Sequence, residues 1–208
     1  MNLKMKIVTM SVLAGAGCAS APNYVYAPDQ DFASPEREGN VIYLEKELPF
    51  AMEKVWEEVF QDFGAVANFS PEFVGSGYLS GSSLAVGAER YCHSKKDGSE
   101  GVHERVVFVD SEGDRREVQF QIVEALGVPI NTEKTFGTSQ LVRLDDHRTL
   151  FRIRFVFSTN PSFIALFARG QIRGQLNDMT LGMEHYLATG QTVTAENFDD
   201  IKAALASN

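Results

Sequence analysis

Residues 148–188 read RTLFRIRFVFSTNPSFIALFARGQIRGQLNDMTLGMEHYLA, and the change of rhythm inside this stretch decides the fold. Up to Phe157 the side chains alternate. Phe151, Ile153, Phe155 and Phe157 fall on one side and Arg152 and Arg154 on the other, the period of a strand with one greasy face and one solvated face. Asn160-Pro161 ends that pattern. Beyond it, apolar positions recur every three or four residues: Ile164, Phe167 or Ala168, Ile172, Gln175 or Leu176, Met179, Met183, and Tyr186 or Leu187. This spacing predicts a helix over 161–188, roughly 40 Å long at 1.5 Å per residue. Gly170, Gly174 and Gly182 are poor helix formers. They either thin the helix where something passes close to it or allow tight contact with a sheet.

Upstream, the two-residue period persists. Candidate strands at 73–79, 87–94, 102–110, 115–124, 134–144 and 148–157 are separated by turn sequences such as Lys96-Asp97-Gly98-Ser99, Ser111-Glu112-Gly113-Asp114 and Asp145-Asp146-His147. Val41 to Leu48 forms a further strand ahead of them. Phe50 to Phe63 reads as an amphipathic helix stopped by Gly64, and 65–69 as a second short one. The expected fold class is therefore α+β: a curved antiparallel sheet wrapped around a long C-terminal helix, with two short helices after the first strand. A sheet with one greasy face must cover it. A bent sheet cannot close flush on a helix laid across it, so a cavity between the two is expected.

At this level of detail, residues 41–188 resemble the polyketide cyclase/dehydrase and START-like superfamily, also called SRPBCC or Bet v 1-like. The resemblance is carried by Val86-Gly87-Ala88-Glu89-Arg90, then Asp97-Gly98, then His103-Glu104-Arg105-Val106 and Val109-Asp110. Val128-Pro129-Ile130-Asn131 and the run Asp62-Phe63-Gly64, Asn68-Phe69, Pro71 also fit. It implies a helix-grip domain with a ligand-binding cup. In the plant abscisic-acid receptors of the superfamily, the Glu of the Glu-Arg pair faces that cup, and Glu104 holds the matching place. Those receptors also use a Lys on the strand after the second helix; Phe73 to Leu79 contains none, so recognition of an acidic hormone in that way is not expected.

The local pattern agrees about Glu104, which shares a strand face with Val102, Val106 and Phe108. A carboxylate on a greasy face is costly unless it is paired or solvated through a cavity. Two readings stand: Glu104 addresses a ligand, or it pairs with Arg90 or Lys134 for structure alone. The expected ligand-binding set is Glu104, Arg90 and Lys134 with the hydroxyls of Tyr78 and Tyr91, walled by Val106, Phe108, Phe120, Phe155, Ile172 and Met179. No catalytic residue is assigned and no cofactor is expected. His93, His103, His147 and His185 lack metal-ligand spacing. Cys92 reads as a small buried hydrophobe.

The first residues concern the address of the protein rather than its fold. Lys4 and Lys6 precede an apolar run, Ile7 to Ala14, that is too short to span a bilayer. Leu13-Ala14-Gly15-Ala16-Gly17-Cys18 resembles a bacterial lipobox, in which the Cys is lipidated and becomes the new N-terminus, although Gly15 stands where a large aliphatic residue is usual. The expected layout is a lipoprotein-type signal over 1–17, a Pro-containing tether over 18–39, the helix-grip domain over 40–190 and a tail over 191–208 with a short helix at 194–206. With Cys18 lipidated, Cys92 has no disulfide partner. The expected location is the periplasmic face of a membrane through a lipid on Cys18, with a soluble exported protein as second choice.

The formal charge of the chain is −9. That acidity argues against a nucleic-acid partner, which would need clustered Lys and Arg. The leading functional expectation is an exported carrier or binding module for a small hydrophobic ligand, lipid-like or aromatic. An enzyme of the cyclase or aromatase kind, with Glu104 as acid/base, and an envelope interaction protein whose cup is filled by Phe side chains are the alternatives.

Overall fold

The computed structural model describes residues 40–206. The expected signal segment, Cys18 and the tether lie outside the described residues. Seven strands form one antiparallel sheet: β1 (Asn40–Leu48), β2 (Gly75–Ser80), β3 (Glu89–His93), β4 (Gly101–Asp110), β5 (Arg115–Leu126), β6 (Phe136–Arg143) and β7 (Thr149–Phe157). Their order is β1-β7-β6-β5-β4-β3-β2, a meander from β2 to β7 with β1 added beside β7. Gly98 and Gly113, at φ +71° each, make the tight turns after β3 and β4, where a side chain would be strained. The helices are α1 (Met52–Val55), α2 (Ala165–Thr189) and α3 (Phe198–Ala206). This is the helix-grip arrangement that the change of period implied.

The core lies between the concave face of the sheet and the inner side of α2. Ile42, Leu48, Met52, Phe151, Phe157, Met183 and Leu187 are each at most 1% exposed; burying such side chains contributes about 1.5–3 kcal/mol apiece. Gly182 answers one of the two glycine alternatives: a Cβ there would sit 2.2 Å from the Phe69 carbonyl oxygen, so α2 packs backbone against backbone at that point. Gly170 and Gly174 face open space instead. The side of α2 opposite the sheet differs along its length. Its C-terminal half is covered by Val193, Phe198 and Ile201 around Leu181, and nothing comparable covers the N-terminal half among the described residues.

Three local departures from the sequence periodicity matter for the site. The segment 50–63 is not one α-helix. After α1 the chain opens into a π turn, Trp56–Phe60, with Gln61 N–H donating to the Trp56 carbonyl at 2.9 Å, and then tightens into a 3₁₀ stretch, Phe63–Asn68. The wide turn stacks Trp56 on Phe60 at 5.7 Å and leads Phe60 to Phe151 at 6.2 Å. Second, the β4–β5 ladder slips twice, between His103 and Glu104 and between Val106 and Phe108. Each slip inserts an extra residue and turns the following side chains to the other face. Third, the first turns of α2 put Ala165 inside and leave Phe167 80% exposed, so Ala168 rather than Phe167 continues the inner stripe.

Two strand arginines are also not simply solvated. Arg154 is 1% exposed on the convex side of the sheet. Arg116 sits beneath α1, over Trp56, with its guanidinium 3.4 Å from Glu53. Glu53 is held chiefly by Arg143, to which it pairs through both oxygens, and this clamp joins α1 to β5 and β6. Arg143 lowers the Glu53 carboxyl from 4.5 to about 2. A carboxyl depressed on folding adds stability above its unfolded pKa and loses it as pH falls through the folded value. Glu53→Gln is therefore expected to flatten the fall of Tm between pH 4.5 and about 2, seen by circular dichroism melts across that range; an unchanged pH profile would show that the clamp carries no folding linkage.

Candidate functional site

Between the sheet and α2 lies a cavity of about 230 Å³. Its floor is the concave face: Val118, Phe120 and Ile122 from β5, Ser139 from β6, and Phe151, Ile153 and Phe155 from β7. The roof is Ile172, Leu176, Met179 and Met183 from α2, and one end is closed by Phe60 of the π turn with Phe63, Val66 and Phe69 of the 3₁₀ stretch. Partly exposed Phe73, Ser94, Val128, Ile130, Ile172 and Leu176 form the rim. Glu72, accepting from Gln175 Nε2 at 3.3 Å, ties the rim to α2.

The hollow exists because the sheet curves away from α2 and because one glycine seats a ring. Gly137 is the β6 partner of Phe120, and a Cβ at 137 would meet the Phe120 Cζ at 2.1 Å. The ring thus lies flat on the strand backbone rather than standing up into the space under α2.

One charged pair stands in this apolar wall. Arg90 and Glu104 face each other across β3 and β4. Arg90 donates from Nε and Nη2 to Glu104 Oε2, each at 2.5 Å, and from Nη1 to the Phe63 carbonyl at 2.7 Å. The guanidinium also lies 3.9 Å from the Phe63 ring centroid and 5.7 Å from that of Phe120, a cation–π arrangement that offsets part of its desolvation. Burial opposes the charge on Arg90, but Glu104 and its neighbours outweigh it and raise the Arg90 pKa. Cys92, beside them, approaches Glu104 Oε2 at 3.8 Å, and burial pushes its thiol pKa far up, so it is a packed, unreactive side chain. Bonds from the described residues to the Glu104 side chain all converge on Oε2, leaving Oε1 for whatever enters the cavity.

Of the residues singled out by the sequence, Glu104, Arg90, Phe120, Phe155, Ile172 and Met179 line this cavity together. The other five do not. Val106 is buried at 1% but belongs to the solid part of the core. Phe108 follows the second β4 slip and pairs with Gln119, while Val109 takes the inward place opposite Val118. Tyr91 pairs with Gly77 on the convex side, where its ring lies tilted against that of His93, 4.7 Å between centroids. Tyr78 does point inward, yet its ring covers Gly64, and burial raises its phenol pKa. Lys134 is exposed in the 3₁₀ turn Thr132–Lys134 and makes no pair with Glu104. The sequence reading missed Val59, Phe60, Ile122 and Ser139, which the π turn and the strand register bring to the wall.

No protein-family model matches the chain, and no curated protein matches it. Solved structures do. A START superfamily protein from Mycobacterium smegmatis aligns over 72% of this chain and 98% of its own at 16% identity and TM-score 0.55. Norcoclaurine synthase from Thalictrum flavum, in complex with dopamine and hydroxybenzaldehyde, aligns over 74% and 90% at 15% identity and TM-score 0.54. A hypothetical protein from Helicobacter pylori aligns over 73% and 90% at 12% identity and TM-score 0.58. The chain has the START-like, Bet v 1-like fold, with a hollow between the sheet and α2.

The Arg90–Glu104 pair makes a sharp energetic demand. Removing one partner of a buried ion pair leaves the other charge uncompensated and costs about 3–5 kcal/mol. Arg90→Met is expected to destabilise by that order in urea unfolding, and the double variant Arg90→Met/Glu104→Leu by clearly less. Equal losses in the two would mean that Glu104 is not uncompensated when Arg90 is gone.

Proposed function

We propose that this protein is a binding or carrier module for a small, largely apolar ligand bearing at least one hydrogen-bond donor, exported and held at a membrane by a lipid on Cys18. The observation that carries the ligand reading is the cavity itself: about 230 Å³, walled by Phe, Ile, Val and Met, with one carboxylate oxygen free at its side. At the packing density of protein interiors such a space takes roughly a dozen non-hydrogen atoms. That favours a one- or two-ring aromatic or a short branched hydrocarbon over a whole phospholipid or sterol. The norcoclaurine synthase of the same fold holds dopamine and hydroxybenzaldehyde, molecules of this size class. Glu104 Oε1 would accept from a hydroxyl or amine, and an anionic ligand would be repelled by the same oxygen.

Binding is favoured over catalysis by the company Glu104 keeps. Oε2 is committed to Arg90, and neither Tyr78 nor Tyr91 lines the cavity to serve as a proton partner. The export and anchoring part of the proposal rests on the pattern Lys4 to Cys18 alone.

Two measurements test the proposal. Native mass spectrometry of the purified chain is expected to show a small bound species, or, for an empty protein, saturable binding of 2-naphthol that Met179→Trp abolishes by filling the roof while the melting temperature stays near that of the parent. A protein that carries nothing and ignores 2-naphthol would overturn the carrier reading. For the anchor, radiolabelled palmitate is expected to enter the wild-type chain in a bacterial host and to be lost in Cys18→Ser; equal labelling of both would remove the lipid from the account.

A further inference from the structure

The outer side of α2 carries a second, unexplained apolar surface. Leu166 and Phe167 are 77% and 80% exposed, the largest exposures of any big hydrophobic residues among those described, and Phe163, in the 3₁₀ turn Ser162–Ile164 just ahead of α2, is 63% exposed. They are not scattered. Positions 163, 167, 170 and 174 recur at helical spacing, so Phe163 and Phe167 continue into Gly170 and Gly174, both of which face open space. Leu166, Arg169 and Arg173 run along the flank, all exposed. The opposite side of the same turns faces inward through Ala165, Ile172 and Leu176. These first turns are apolar on both sides, which a helix that only covers a sheet does not need.

Charge says what the outer face fits. The chain has 28 acidic residues, yet none lies between Asp146 and Asp178, a stretch that holds Arg169 and Arg173. A knob of Phe and Leu flanked by arginines, on a segment with no carboxylate of its own, matches an anionic lipid surface, where aromatic and aliphatic side chains enter the acyl boundary and guanidinium groups meet the phosphates. An exposed contiguous patch of this kind marks an interaction site. The half of α2 under α3 has no such face. The rim residues Ile172 and Leu176 lie about one and a half and two and a half turns beyond Phe167 on the same helix, and the rim loop at Val128 and Ile130 is bonded to the segment between β7 and α2, with Ile130 bridged to Thr159 and Asn160 N–H donating to the Pro129 carbonyl at 2.9 Å.

We infer that the Phe163–Leu166–Phe167 knob with Arg169 and Arg173 is a direct membrane-docking face for bilayers containing anionic phospholipid, which would bring the cavity rim against the lipid. Only its purpose, presenting the cavity to a membrane, rests on the carrier reading; the contact itself is separate from any lipid on Cys18.

The test uses the full chain with Cys18→Ser, so that no acyl anchor forms. Leu166→Cys carries an environment-sensitive dye, and buried Cys92 does not compete for the label. A control chain carries the dye at Val86→Cys, itself 65% exposed. On mixed phosphatidylcholine–phosphatidylglycerol vesicles the 166 dye is expected to shift to the blue and to be quenched by brominated acyl chains, and the 86 dye to do neither. Arg169→Glu/Arg173→Glu should weaken the apparent partitioning by about tenfold or more, at about 1 kcal/mol per basic residue near an anionic surface. A silent 166 dye, equal responses at 166 and 86, or a response indifferent to both lipid charge and the arginine reversal would each overturn the inference, as would a 166 shift that follows protein concentration without vesicles, the mark of self-association. No ligand is added, so failure here leaves 2-naphthol binding untouched, and failure of the carrier reading would leave the dye response untouched.

Discussion

The Arg90 guanidinium reaches four things at once: the Glu104 carboxylate across the β3–β4 ladder, the Phe63 carbonyl, the Phe63 ring and the Phe120 ring. Without it, the far edge of the sheet and the 3₁₀ stretch after α1 would be left with the Ser76 hydroxyl, bonded to Ala67 N–H and the Gly64 carbonyl, and the Tyr78 ring on Gly64, and Glu104 would be a bare charge in a Phe-lined wall. A buried ion pair adds little net stability on its own. Its effect here is positional, because the pair can be satisfied in only one arrangement of β3, β4 and the Phe63 backbone. That arrangement fixes the end wall of the hollow that the curvature of the sheet and Gly137 leave under α2.

Much of this was legible before any coordinates. The switch from a period of two to one of three-and-four around Asn160-Pro161 separates sheet from helix because each period puts a different set of side chains on one face. The strand order follows from short turns that permit only antiparallel neighbours. Glu104 stood out because a carboxylate broke an apolar alternation, and Arg90 because its strand had to lie alongside. Both readings of Glu104 contained part of the answer: it is paired with Arg90 and it borders the cavity.

What failed did so for definable reasons. Alternation assumes an uninterrupted ladder, and the slips in β4–β5 reverse it, which is why Phe108 and Val109 exchanged places. The π turn at Trp56–Phe60 adds one residue to a helical turn, an event with no signature in a pattern of apolar spacing, so Phe60 was not expected at the cavity. Lys134 was placed in a strand that begins two residues later, at Phe136. In α2 the spacing leaves Phe167 and Ala168 open for one helical position, and the structure turns Ala168 inward and Phe167 out.

Gly137 gives the chamber a single point of adjustment. The strand beneath Phe120 is bare because position 137 has no side chain, and the aromatic plate rests there like a lid folded down on its hinge. Any larger residue at 137 would tilt the plate upward and shrink the room above without touching the sheet register or the helix. Descendants of this scaffold could thus change the size of the chamber through one codon, while the frame around it stays as it is.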